Sequence, residues 1–421
     1  MKIFTLLMAG LAVTSAGAAD WTLWGGPRRD FRVDPSEPLA DTWPAAGPRV
    51  LWQRQLGEGY SAIAIRDHTL FTMYRRDTHF WQIFTADQEI VIALDATTGK
   101  TKWQFAYDAP FSSAQGPGPH TMPQLVGDLL FTVGATGKLH ALKAQTGELV
   151  WKRDLYQELG GTRLAFGYAS HPLPYGDSLI VAAGGKGKAI AAIDQKSGRI
   201  AWAGLSFHNA YSTPILITSG GRDQVVVLGA QEILGVDPHD GAVLWSRSLT
   251  TDPGMAFCAT PLWDARNQVL VFSGGADGYG ATALRITPDG PRTKTELLWR
   301  DHRLGSAFGN LLLAGDTFYL SRGYTGPAFL TAVDVKTGQT KWSSREFAKT
   351  SFLAADGKLI ILDEDGRLAL ARPNPDGSLA VLAKAQLLAA NAWTVPTLAG
   401  TTLFLRDREK IMALDIGKSL R

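Results

Sequence analysis

The chain has 421 residues, 45% of them hydrophobic, enough for two ordinary domains or one large repeat architecture. Its 42 basic and 39 acidic residues leave a net charge of +3, too even a balance to bind nucleic acid broadly. The single cysteine, Cys258, excludes an intrachain disulfide and a thiolate metal cluster.

The N-terminus carries Lys2, an apolar run from Ile3 to Val13, and the small-x-small triplet Ala16-Gly17-Ala18. That is the pattern of a cleaved secretory leader over residues 1–19, with an apolar core too short to span a bilayer well. It predicts an exported protein, periplasmic or secreted. The leader does not end in cysteine, so no lipoprotein attachment is expected. No later segment reads as a transmembrane span. Residues 20–48, rich in Pro, Gly and Arg, read as an extended arm.

From residue 49 onward the chain repeats itself. Ala93-Leu94-Asp95, Gly99 and Trp103 form one copy; Ala141-Leu142-Lys143, Gly147 and Trp151 form the next. Asp194, Gly198 and Trp202 follow, then Asp237, Gly241 and Trp245, a looser copy ending at Trp299, and Asp334, Gly338 and Trp342. Residues 368–382 are degenerate, and the last copy, at Asp415, stops before its tryptophan. The tryptophans stand 43 to 54 residues apart, the length of a four-stranded propeller blade. Within each unit the Asp can bond the backbone of the turn it opens, and the Gly closes a short hairpin. The Trp then sits on the fourth strand, where its flat surface fills the gap between sheets. A proline opens the first strand of several units, as in Thr121-Met122-Pro123 and Ser212-Thr213-Pro214, where no ladder donor is needed. The N-terminal run around Trp52 is a fourth strand without its first three, and the C-terminal unit lacks its fourth. Joined, they make an all-β, eight-bladed propeller over residues 49–421, closed by both chain ends and expected as a monomer.

The signature A-[LVI]-D-x-x-[TS]-G-x-x-x-W resembles the repeat of pyrroloquinoline-quinone (PQQ)-like β-propeller proteins. The arm stretch Trp24-Gly25-Gly26-Pro27-Arg28-Arg29-Asp30 resembles the leader of exported bacterial members. That family includes quinoprotein dehydrogenases and also BamB-like, non-enzymatic scaffolds of outer-membrane assembly. The resemblance to the dehydrogenases would require two adjacent cysteines, carboxylate and amide ligands for Ca²⁺, and an Asp base. Cys258 stands alone and no such ligand set can be carried across. Asp363-Glu364-Asp365-Gly366 looks like a calcium-loop fragment but reads better as a polar hairpin turn.

Candidate site residues lie where first strands begin. His120, His171 and His208 could converge near the channel mouth on a metal or an anionic ligand, although blade spacing favours separate capping roles, and no metal site is expected. Arg163, Asn209, Tyr211, Cys258, Asn310 and Trp393 occupy comparable positions and are the expected lining of a central pocket. The loops between second and third strands offer Arg75, Arg76, His79, Trp81, Arg322 and Tyr324, a composition of charge and aromatics suited to binding. The leading expectation is a BamB-like scaffold for an envelope or outer-membrane protein or peptide, with no cofactor. The alternative is an oxidoreductase of alcohols or sugars using PQQ with Ca²⁺.

Overall fold

The computed structural model describes residues 20–33, 36–76, 87–113, 116, 118–250, 257–275, 278–306, 309–323 and 327–418. Eight antiparallel sheets are arranged as an eight-bladed β-propeller, with one short helix among the described residues, Leu155–Leu159. Blades 1 to 7 begin at Ala64, Gln124, Leu173, Ile215, Leu262, Leu312 and Thr350. The eighth combines strands Thr397–Ala399, Thr402–Arg406 and Lys410–Asp415 with the early strand Arg49–Gln55. Trp52 pairs with Ala413 across that seam, so both chain ends close the ring. Asp363 to Gly366 turn between strands Lys358–Asp363 and Arg367–Pro373, an ordinary hairpin.

The repeat signature acquires a physical reason at each position. Asp95 Oδ1 accepts from the amide and the hydroxyl of Thr98, both at 2.8 Å, and Asp194 does the same with Ser197. A bulge one residue before each tryptophan twists the outer strand. Trp103 then faces Ala93, Trp151 faces Ala141, and Trp202 faces Ala192. The alanine is small because an indole lies opposite.

Five of the indoles reach past their own sheet to the next blade's hairpin. Trp52 Nε1 donates to Ala96 O at 2.7 Å, Trp103 to Ala144 O at 3.0 Å, and Trp151 to Gln195 O at 2.8 Å. Trp202 donates to Pro238 O and Trp299 to Val335 O. The acceptor is always the residue after the turn-opening position. The repeat glycine does more than turn the chain. At Gly147 φ is +74°, and an added Cβ would stand 2.5 Å from the Trp103 ring. Gly99 meets Trp52, Gly198 meets Trp151, Gly241 meets Trp202, and Gly338 meets Trp299 in the same way. The glycine is the floor on which the preceding blade's tryptophan rests.

Trp245 departs from the expected wedge. Its Nε1 donates to Gln224 Oε1 at 2.8 Å, inside its own blade. Gly235 replaces the alanine opposite, and a Cβ there would collide with the indole. Blade 5 has no matching short turn, because its outer hairpin runs from Gly280 to Asp301 and lies against blade 4. Gln224 Nε2 to Thr293 Oγ1 and Ser219 Oγ to Ile286 O take over that junction. Trp342 packs into the main core and has no glycine floor in blade 7.

The arm is part of the propeller. Trp21 bridges to Ile65 in blade 1, and Trp24 takes a hydrogen bond partner, Gln124 Oε1, in blade 2. Arg29 Nη2 donates to Pro174 O in blade 3 and Arg32 Nη1 to Leu313 O in blade 6. Arg32–Val33 then adds a parallel fifth strand to blade 7, along Ala354 and Ala355.

Replacing Gly147 with Ala should cost about 3 kcal/mol, from the left-handed backbone plus the clash with Trp103. Gly176→Ala, at φ +52° with open space around it, should cost only about 1 kcal/mol. In a Trp103→Ala background the Gly147→Ala penalty should fall toward that smaller figure. Urea unfolding of the five chains measures this, and fully additive losses would contradict the clasp.

Candidate functional site

The segments that lead into the first strands run extended toward the axis. Alternate residues of an extended segment point the same way, so two per blade face the channel. They are the residues four and two places before the first strand: Tyr60 and Ala62, His120, Ala169 and His171, Tyr211 and Thr213, Cys258 and Thr260, Trp393 and Val395. With Trp24, Phe166, Gly309 and Thr394 they enclose a cavity of about 170 Å³.

Trp24 forms the floor. Its ring stacks on His171 at 3.9 Å and 14°, meets Phe31 edge-on at 5.2 Å, and its Nε1 donates to Thr260 Oγ1 at 2.9 Å. The tight arm turn behind it is built from Gly25 and Gly26, and a Cβ on Gly26 would strike the Trp21 ring. Beyond Trp24 a second cavity of about 500 Å³ is lined by Arg28, Arg29, Asp30, Arg32 and the strand-opening prolines. One indole therefore separates the two ends of the channel.

The walls are aromatic. Tyr60 stacks on His120 at 5.6 Å and leans on Trp393 at 5.1 Å, while Phe166 meets Tyr211 at 5.7 Å. Trp393 Nε1 donates to Glu364 Oε2, and Lys349 Nζ bonds the same carboxylate at 3.0 Å. No Asp, Glu, Lys or Arg is among the described lining residues. Burial lowers the pKa of His120 to about 4 and that of His171 to about 3, and raises the Cys258 thiol to about 12. The described lining is therefore uncharged at neutral pH.

Of the candidates read from the sequence, His120, His171, Tyr211, Cys258 and Trp393 meet in this cavity. His208 is exposed outside it, so the three imidazoles do not converge. Asn209 is buried and its Oδ1 accepts from the amide of Ala210. Asn310 bridges blades 6 and 7 by exchanging two bonds with the backbone of Phe352. Arg163 is exposed, over the Tyr156 ring. Arg75 is interior and cannot serve as a loop contact: it is 4% exposed, donates to Ala109 O and lies 3.6 Å from the buried Glu89. Arg76 is exposed, and Arg322 lies over Phe329 with Nε on Thr331. His79, Trp81 and Tyr324 lie outside the described residues. Among the described residues no cluster of His, Cys, Asp or Glu could hold a metal ion. Trp24, Tyr60 and Phe166 were missed by the sequence reading. The spacing before the first strand would have found Tyr60.

PQQ does not suit this lining. The quinone carries three carboxylates, and Ca²⁺ takes six to eight oxygen ligands, largely carboxylates. The described lining offers neither cations nor carboxylates, and unpaired charge in such a place is costly.

The model of the family described as outer membrane protein assembly factor BamB matches residues 86–343 and 280–379. A curated relative, outer membrane protein assembly factor BamB of Yersinia pestis, is 23% identical over 362 residues, 78% of this chain and 82% of that one. The crystal structure of BamB from Moraxella catarrhalis superposes with a TM-score of 0.59 at 18% identity, covering 87% of this chain and 99% of that one. Quinohemoprotein alcohol dehydrogenase from Comamonas testosteroni superposes with a TM-score of 0.67 at 13% identity, covering 96% and 81%. At such identities these two likenesses show the fold alone.

The neutral histidines set a pH dependence. An unfolded histidine titrates near 6.5, so below that pH the unfolded chain binds protons that the folded His171 refuses. The stability from each such histidine is present above about pH 6.5 and lost as pH falls, by about 1.4 kcal/mol per pH unit. His171→Phe should flatten the slope of stability between pH 6 and 4.5 (roughly) by one proton's worth. Urea midpoints across that range test it; parallel curves for the two chains would contradict it.

Proposed function

The chain belongs to the family of outer membrane protein assembly factor BamB, and we propose that it is a non-catalytic scaffold of the cell envelope. The observation that carries this reading is the family match across residues 86–343 and 280–379. The uncharged lining supports it, because a quinone's carboxylates and its Ca²⁺ need cations and carboxylates that the described lining does not offer. The leader-like N-terminus supports export to the periplasm. No helix among the described residues is long and apolar enough to cross a membrane.

In this reading the partner is a protein component of outer-membrane assembly. It docks on the face where the second-to-third strand loops and the channel mouth open together. Arg76 and Arg322 lie at the bases of two such loops. Arginine beside aromatic surface suits a protein contact, combining a planar cation with apolar area.

The test is direct binding of the purified mature chain to the outer-membrane assembly complex of the same organism, by calorimetry. The expected affinity is micromolar or tighter. Arg76→Glu together with Arg322→Glu should weaken it about tenfold or more in a chain whose melting curve shows it folded. Absence of binding would sink the scaffold reading. Binding unaffected by the double substitution would move the contact to another face.

A further inference from the structure

The channel-mouth cavity has the size, charge and unanswered polar atoms of a small-molecule site. Its volume of about 170 Å³ is close to that of an engineered apolar cavity that accepts benzene, about 150 Å³. Trp24 lies beneath it, and Tyr60, Phe166, Tyr211 and Trp393 wall it with ring faces and edges. Such surfaces favour an aromatic guest by offset stacking and edge contacts.

Two polar atoms define what the guest must carry. The Nε2 atoms of His120 and His171 are both buried, and neither has a hydrogen-bond partner. His171 is only 4% exposed. Its Nδ1 is 2.7 Å from Thr213 Oγ1, which also accepts from the His171 amide at 3.2 Å. With the hydroxyl proton directed at Nδ1, Nε2 carries the second ring proton as a donor. His120 bonds the backbone of Phe166, and that bond favours its protonated form, as a ring N–H given to a carbonyl would. Its Nε2 is then a bare acceptor. A donor and an acceptor left unsatisfied on two residues that line one cavity are costly unless a guest answers them. No charged residue is present in the described lining to balance an ionic guest.

We propose that this cavity binds one neutral aromatic ring bearing a hydroxyl group, a phenol. The hydroxyl donates to one histidine and accepts from the other while the ring fills the aromatic cage. The phenol is either a free small molecule or the tyrosine side chain of a bound peptide, since both present the same chemistry. The proposal does not depend on the scaffold reading, and it stands or falls without an envelope partner.

The experiment titrates the whole mature chain with p-cresol, toluene, 4-hydroxybenzoate and the peptide Gly-Gly-Tyr-Gly-Gly, by calorimetry and ligand-observed NMR. One p-cresol should bind per chain, and toluene and 4-hydroxybenzoate should each bind about tenfold more weakly or worse. His171→Phe keeps a ring against Trp24 but removes Nε2, and should bring p-cresol and toluene to near-equal affinity. Ala169→Leu narrows the cavity and should abolish binding in a chain whose melting curve shows it folded. Competition by the peptide against p-cresol identifies a tyrosine as the source; no competition identifies a free phenol. Failure of p-cresol to bind at about 10 mM would overturn the proposal. So would equal binding of toluene or 4-hydroxybenzoate to the unaltered chain. So would a p-cresol-to-toluene ratio that His171→Phe leaves unchanged, or binding that survives Ala169→Leu.

Discussion

The structure depends on a tryptophan resting on a glycine of the next blade. A propeller blade is a small sheet with two apolar faces, and it is stable only between neighbours. Ring closure therefore needs one contact that fixes both the spacing and the tilt of adjacent blades. The indole supplies area, and its Nε1 supplies direction by bonding the carbonyl after the turn-opening residue, as Trp103 does with Ala144. The glycine beneath supplies the missing side chain. The clasp is absent from blade 4 to 5, from 6 to 7 and from 7 to 8, and the first of these junctions shows what replaces it. There a long hairpin and the Gln224–Thr293 bond hold the sheets, so the ring tolerates a substitute of different chemistry.

The arm converts this ring into a container. It crosses beneath the channel and touches blades 1, 2, 3, 5, 6 and 7 through backbone or side-chain bonds. Trp24 is the one arm side chain shared by both cavities together with Thr213 and Thr260. It depends on His171 for stacking and on Thr260 for its indole proton. The closing blade has its own lock: Arg406 is fully buried and its Nη1 bonds Ser61 O, Thr72 Oγ1 and Met73 O in blade 1. Burial lowers its pKa to about 10, which still leaves it charged at neutral pH.

Much of this architecture was legible because its determinants are local and repeated. A hairpin with Asp95, Gly99 and Trp103 announces its own turn, and repetition gave the blade count and the closing seam. Contacts between distant residues were not legible. Trp24 and Thr260 are 236 positions apart, and nothing in the arm names its partner. Gly235 stands where other copies carry alanine, and its missing Cβ leaves the room into which Trp245 turns. Arg75 looked like a loop residue, but it ends a strand and faces the buried Glu89. His171 and His208 had similar local contexts, and their fates diverge through spacing: two residues before the strand faces the channel, seven does not.

We propose that this propeller keeps the family's fold without a quinone site, because no charged side chain among the described residues lines the cavity above Trp24. The most direct measurement is a calorimetric and spectroscopic titration of the mature chain with PQQ in the presence of Ca²⁺. The account predicts no saturable binding at about 100 µM quinone. Stoichiometric binding with quinone-dependent dye reduction by an alcohol or a sugar would contradict it.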